Sequence, residues 1–162
     1  MHPLAALFDA GLPAMDVGVM HHGFADHGRD YILILEVSLS HQPGTYRLTF
    51  THVVDLSIRT AVSPEIWQRS WSEDFTDYSR WEAAGEPDGY VFGTNWSIAY
   101  PGFRAISNSP SADDWARRLA QPMFAASLAT DRFALSLIFH EARLERLNED
   151  TPVVSQVIFP VK

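Results

Sequence analysis

The chain has 162 residues, of which 46% are hydrophobic, 12% are aromatic and none is cysteine. This composition is typical of a single globular domain, covering residues 1–162. A domain of this length buries enough apolar surface to be stable without a disulfide or a metal. Its formal net charge of −8 would repel phosphate backbones and anionic lipids, which argues against nucleic acid and membrane surfaces as partners. The absence of cysteine excludes thiolate chemistry, and the lack of a signal peptide or long apolar run adds to the expectation of a soluble, cytoplasmic protein.

The first predicted elements are a short helix at 4–9 and a β-hairpin. Apolar residues alternate with period two over 31–39 and again over 46–50, on either side of the turn-forming pair Pro43-Gly44. The first of these strands is apolar on both faces at its start, where Ile32 and Ile34 fall between the alternating residues. A strand of that kind is expected inside a sheet rather than at its edge.

A further strand is predicted at 56–61, and it leads into residues 63–90, which we call the acidic aromatic segment. Ser63-Pro64 is typical of a helix start, because the proline lacks the amide donor that would be unpaired there anyway. The segment contains seven acidic residues and two arginines, and three of the five tryptophans of the chain. Its aromatic residues recur at spacings of four, four, three and three, as one face of a helix would place them: Trp67, Trp71, Phe75, Tyr78 and Trp81.

Two interpretations of this segment stay open. An aromatic stripe at helical spacing is commonly the buried side of a helix that packs on a sheet. Tryptophan and tyrosine flanked by carboxylates are also typical of a surface that binds a basic protein, since the rings supply contact area and the acids attract positive charge. On the second interpretation the candidate binding residues are Trp71, Asp74, Tyr78 and Trp81.

The remaining elements are mostly strands. A strand is predicted at 92–100, and 103–106 is expected to return as its short partner. A helix follows from Ala112, with Ser111 as its cap, and carries an apolar stripe through Trp115, Leu119, Phe124 and Leu128 that Pro122 kinks or divides. A strand at 133–144 and a return strand at 153–159 are expected to form a C-terminal hairpin. The predicted fold class is α+β, with a predominantly antiparallel sheet of about six to eight strands and two short helices packed on it.

Metal-ligating side chains are densest at 21–30, where three imidazoles and two carboxylates fall within ten residues. Imidazole with carboxylate suits zinc or iron. The candidate metal ligands are His21, His22, Asp26 and His27. The alternative is a polar loop that enters the first hairpin, with its acids bonded to the local backbone.

No complete catalytic motif is present, and no glycine-rich fingerprint indicates a nucleotide cofactor, so no cofactor is expected. His52 or His140, paired with Asp55 or Glu141, is a candidate general base without an identifiable nucleophile.

The leading hypothesis is therefore a non-enzymatic protein-binding module that uses the acidic aromatic segment to bind a basic protein. The alternatives are a metal-dependent hydrolase or metal binder that uses the histidine cluster, and a small-ligand or carbohydrate binder that stacks on Trp81 or Trp96.

Overall fold

In the computed structural model of the chain, the described residues are 1–25, 28–38, 40, 42–70, 78–85 and 96–148. The strands are β1 (Gly18–Ala25), β2 (Asp30–Val37), β3 (Gly44–Thr51), β4 (Asp55–Thr60), β5 (Ser97–Ile98), β6 (Gly102–Ile106), β7 (Phe124–Ala129), β8 (Phe133–Phe139) and β9 (Glu141–Arg146). The helices are α1 (Pro3–Asp9), α2 (Pro64–Ser70), α3 (Tyr78–Ala83) and α4 (Pro110–Leu119). None of these helices is long and apolar enough to cross a membrane.

The strands form two antiparallel sheets. Sheet A has the order β5-β1-β2-β3-β9, and sheet B has the order β4-β8-β7-β6. The predicted α+β class is confirmed, with nine strands among the described residues. The hairpin around Pro43-Gly44 is confirmed as the β2–β3 pair, and β2 lies inside sheet A, as its two apolar faces predicted.

One face of each sheet packs against the other. On β2, the buried residues that join the main hydrophobic cluster are every second one, from Tyr31 to Val37, and on β8 they are Leu135, Leu137 and Phe139. The ring of Phe50 on β3 meets the ring of Phe139 across the two sheets, with centroids 4.8 Å apart. Leu4 brings helix α1 into the same cluster. The period-two alternation thus builds a single core between the sheets.

Helix α4 covers the other face of sheet B, where Ala112 packs in a second cluster with Met123, Ala125 and Ile138. Its N-cap is Ser109, whose hydroxyl accepts from the N–H of Ala112, and not Ser111 as predicted. Pro110 at the first helical position explains the earlier start.

The predicted continuation of that helix is wrong. Helix α4 ends at Leu119, and Ala120 takes a left-handed conformation, before Pro122 is reached. Phe124 and Leu128 therefore lie on strand β7, although their spacing of four residues resembled a helical stripe.

Two predicted strand pairings also differ. The strand at 103–106 is β6, but it pairs with β7 in sheet B, whereas β5 pairs with β1 in sheet A. The long strand predicted at 133–144 is divided at His140, because β8 belongs to sheet B and β9 to sheet A. Its predicted partner at 153–159 lies outside the described residues.

Gly102 should be intolerant of any side chain. Its φ is +92°, and a Cβ there would overlap the carbonyl oxygen of Ala14 and approach the Cα of Met15 to 2.9 Å. We expect Gly102→Ala to lower the free energy of unfolding by about 3 kcal/mol, measured by urea denaturation, since strain and overlap add.

Gly11 provides the control, because its φ is also positive, at +107°, but nothing lies within 4 Å of a Cβ there. Gly11→Ala should cost only the conformational strain, about 1 kcal/mol. If the two substitutions lowered the free energy of unfolding equally, the close approach of Gly102 to Ala14 and Met15 would be contradicted.

Candidate functional site

The described part of the acidic aromatic segment lies at the protein surface. Trp67 on α2 is 39% exposed, and its indole N–H donates to the hydroxyl of Thr60 on β4 over 2.8 Å. Glu65 and Glu82 are exposed. Hydrogen bonds from its own backbone N–H and from the Ser63 hydroxyl lower the pKa of Glu65, which keeps this carboxylate ionised.

The four predicted binding residues are only partly placed by the structure. Trp71 and Asp74 lie outside the described residues, and Tyr78 begins α3 without a described side chain. Trp81 on α3 is half-buried. The predicted binding surface therefore stays a prediction, and Trp67 joins it as an exposed indole.

The histidine cluster proves to begin on a strand rather than in a loop. Strand β1 pairs His21 with Ile34 and His22 with Leu33, so the two neighbouring imidazoles project to opposite faces of sheet A. In the described part of the chain no group of three or more His, Asp or Glu side chains is arranged to hold a metal. Asp26 and His27 lie outside that part, so the four-residue metal site stays a prediction.

His22 forms a hydrogen-bonded pair with a core tyrosine instead. Its Nδ1 lies 2.6 Å from the hydroxyl of Tyr31, and its ring packs on Phe133 with centroids 4.5 Å apart. Burial, and secondarily the charge of His21, lowers the pKa of His22, and burial raises the pKa of Tyr31 to about 12. These two shifts favour a neutral imidazole hydrogen-bonded to a protonated phenol.

The candidate general bases lie at the junction of β8 and β9. The rings of His52 and His140 are 5.9 Å apart, and His140 Nδ1 donates to the carbonyl oxygen of Pro122 over 2.7 Å. The Nε2 of His140 is 4.0 Å from Glu141, a carboxylate that Arg143 already holds at 2.6 Å. Glu141 therefore interacts more closely with Arg143 than with His140, and the general base stays a prediction.

A cavity of about 730 Å³ opens at the end of the sandwich beside the β2–β3 hairpin. Its walls include Leu12, Val37 and Leu144, and neither Trp81 nor Trp96 lines it. Two hydrogen bonds lie within its wall, since the Tyr46 hydroxyl donates to the Gln42 carbonyl and the Ser40 hydroxyl accepts from the Gln42 N–H.

A polar surface that the sequence interpretation missed covers the outward face of sheet A. Alternate residues of β3 and β9 that face away from the core are hydroxyl-bearing or charged: Thr45, Arg47, Thr49, Thr51, Glu141, Arg143 and Glu145. A cavity of about 250 Å³ lies on it. The alternation over 44–51 was visible in the sequence, but the pairing of β3 with β9, some 95 residues later in the chain, has no local signal.

Comparison with known proteins identifies the family of the chain. A family model described as "YxiG-like protein" matches residues 2–156. No curated protein and no solved structure matches the chain significantly.

The half-buried His22 should make stability depend on pH. Because its pKa lies below the usual 6.5 in the folded protein, the unfolded chain binds a proton more readily, and the free energy of unfolding falls as the pH drops below about 6.5. When unfolding by urea is measured between pH 7.5 and 5, the free energy of unfolding should change less with pH in His22→Gln than in the wild type.

His21→Gln serves as the comparison, since it removes only the second cause of the lowered pKa. This variant should keep most of the wild-type pH dependence. A His22→Gln curve parallel to that of the wild type would show that His22 is not held neutral by burial.

Proposed function

We propose that this chain, which belongs to the YxiG-like protein family, is a non-enzymatic module that binds a basic protein through its acidic aromatic segment. The observation that carries the proposal is the exposure of Trp67, two residues from the exposed Glu65, on a helix none of whose described side chains belongs to the hydrophobic core.

The first support is that the described core is built without the segment. The main cluster takes its residues from both sheets, α1 and their connections, and the second takes its residues from α4 and sheet B. Between residues 63 and 85, no described residue belongs to either cluster. Side chains that are not needed to fill the core are available to contact a partner.

The second support is the apolar surface beside Trp67. Its indole is fixed to Thr60 at the end of β4, and Ile58, two residues earlier on that strand and so on the same side, is 45% exposed. A tryptophan held in place loses little entropy when a partner covers it, which is why such residues often dominate binding energy.

The third support is charge. Residues 63–90 carry a net −5 of the total −8, with Glu65 and Glu82 exposed on α2 and α3. A surface of this sign speeds encounter with a positively charged protein and disfavours acidic ones. The same field makes binding sensitive to ionic strength, because exposed charges are screened over about 8 Å at physiological salt.

The test begins with capture of partners on the immobilised full chain, followed by calorimetric titration of the purified partner. Trp67→Ala with Glu65→Lys should weaken binding at least about 30-fold, the loss expected when one aromatic hot spot and its adjacent charge are removed. Trp71→Ala with Asp74→Ala tests the remainder of the predicted surface in the same way. Affinity for the wild type should fall as salt is raised.

The matched control is Asp9→Lys, which reverses an exposed acid at the C-terminal end of α1, outside the segment. A lysine is tolerated there because the helix dipole favours positive charge. The control should bind like the wild type. Unchanged affinity in both segment variants, or a partner that is itself acidic, would refute the proposal.

A further inference from the structure

We infer that the cavity on the outward face of sheet A is a binding site for a small, neutral, hydroxyl-rich molecule of about the size of a monosaccharide. The site is separate from the acidic aromatic segment. It rests on the register of four strands, on one buried hydroxyl without a partner, and on the pairing of every charge that lines the cavity.

The strand register arranges the outward side chains of β2, β3 and β9 in rows. Ile32 pairs with Thr49, which pairs with Arg143, and on the next row Arg47 pairs with Glu145. Asp30 and Thr51 form the adjacent row, since they follow the Tyr31–Phe50 pair. All seven of these residues line the 250 Å³ cavity.

Strand β1 leaves room above these rows. Gly23 pairs with Ile32 and has no side chain, the His21 imidazole lying 3.6 Å from where its Cβ would be, and Ala25 contributes only a methyl group to the cavity wall. The floor is apolar at Ile32, which is buried. The cavity thus combines an apolar base with polar walls, as small-ligand sites commonly do.

Thr51 supplies the observation that points to a ligand. Its side chain is 4% exposed and lines the cavity, and its hydroxyl has no hydrogen-bond partner among the described residues. Buried hydroxyls are nearly always hydrogen-bonded, because a lost partner costs their hydration without compensation. A hydroxyl group on a bound molecule would either donate to the Thr51 hydroxyl or accept from it.

The charges around the cavity favour a neutral ligand. Asp30 is held by Arg29 through two hydrogen bonds and by the backbone N–H of His52. Burial alone would raise the pKa of Asp30, but these contacts lower it, so the carboxylate stays ionised and paired.

The two arginines are paired in the same way. Arg47 bonds Glu145 over 2.7 Å, and Arg143 bonds Glu141 over 2.6 Å. An ionic ligand would have to break one of these pairs, whereas the hydroxyls of a polyol can bond to carboxylate and guanidinium groups that remain paired.

The experiment is an amide NMR titration of the full chain, labelled with ¹⁵N. The neutral probes are D-glucose, D-galactose, D-mannose and myo-inositol, and the ionic probes are glycine and inorganic phosphate. Each is added to about 50 mM, enough to detect a Kd in the millimolar range. We expect at least one neutral probe to shift the amides of residues around the cavity, such as Ile32 and Thr49, and the ionic probes to leave them unchanged.

Thr51→Val tests the role of the orphan hydroxyl. Valine has the same shape and suits a strand, so the variant should fold with a melting temperature at least equal to that of the wild type. Its affinity for the neutral probe should be about tenfold lower, because the loss of one hydrogen bond weakens binding by about that factor. Thr45→Val is the matched control, because that hydroxyl lies on the same face of β3 but donates to Glu36 outside the cavity.

The amide shifts in the wild type and the two variants decide whether the cavity is a binding site. Shifts around the cavity that weaken in Thr51→Val and persist in Thr45→Val would support the site. The inference is overturned if no neutral probe shifts these amides, if glycine or phosphate shifts them instead, or if Thr51→Val binds the neutral probe as tightly as the wild type.

Discussion

The packing of sheet A against sheet B is the interaction on which the rest of the molecule depends. Alternate residues of β2, β3, β7 and β8 face inward and meet in one cluster, which Leu4 of α1 joins. Successive residues of a strand point to opposite faces of the sheet, so the residues that fill this core determine which of their neighbours face the outside of the sandwich. The outward rows of polar residues on sheet A are a consequence of that division.

The sequence predicted the elements in which the alternation is strong and local. The β2–β3 hairpin could be recognised because both strands alternate and Pro43-Gly44 marks the turn between them. Strand β1 was missed because histidines occupy its centre and a register shift between Val19 and His21 interrupts the alternation.

Strand β7 was missed for a different reason. Its large residues Phe124 and Leu128 are four apart, a helical spacing, and small residues fill the positions between them. Pairings between distant parts of the chain, such as β3 with β9, depend on tertiary packing and leave no pattern in either strand alone. For the same reason the rows of polar residues on sheet A could not be assembled from the sequence.

The two candidate surfaces differ in the balance of their acidic and basic side chains. On sheet A, acidic and basic side chains face each other across β3 and β9 and neutralise one another, as Arg47 and Glu145 do. In the acidic aromatic segment the acids outnumber the arginines, and the field extends into solvent. A paired surface suits recognition of a neutral molecule, and an unbalanced one suits attraction of an oppositely charged protein.

Among the described residues, the core between the sheets contains no side chain of the acidic aromatic segment. Urea unfolding of two variants tests it most directly: Leu48→Ala, in the fully buried centre of β3, and Trp67→Ala, on α2. We expect Leu48→Ala to lower the free energy of unfolding by about 3 kcal/mol and Trp67→Ala by less than about 1 kcal/mol. A loss for Trp67→Ala as large as that for Leu48→Ala would contradict the claim, because the indole would then be part of the core.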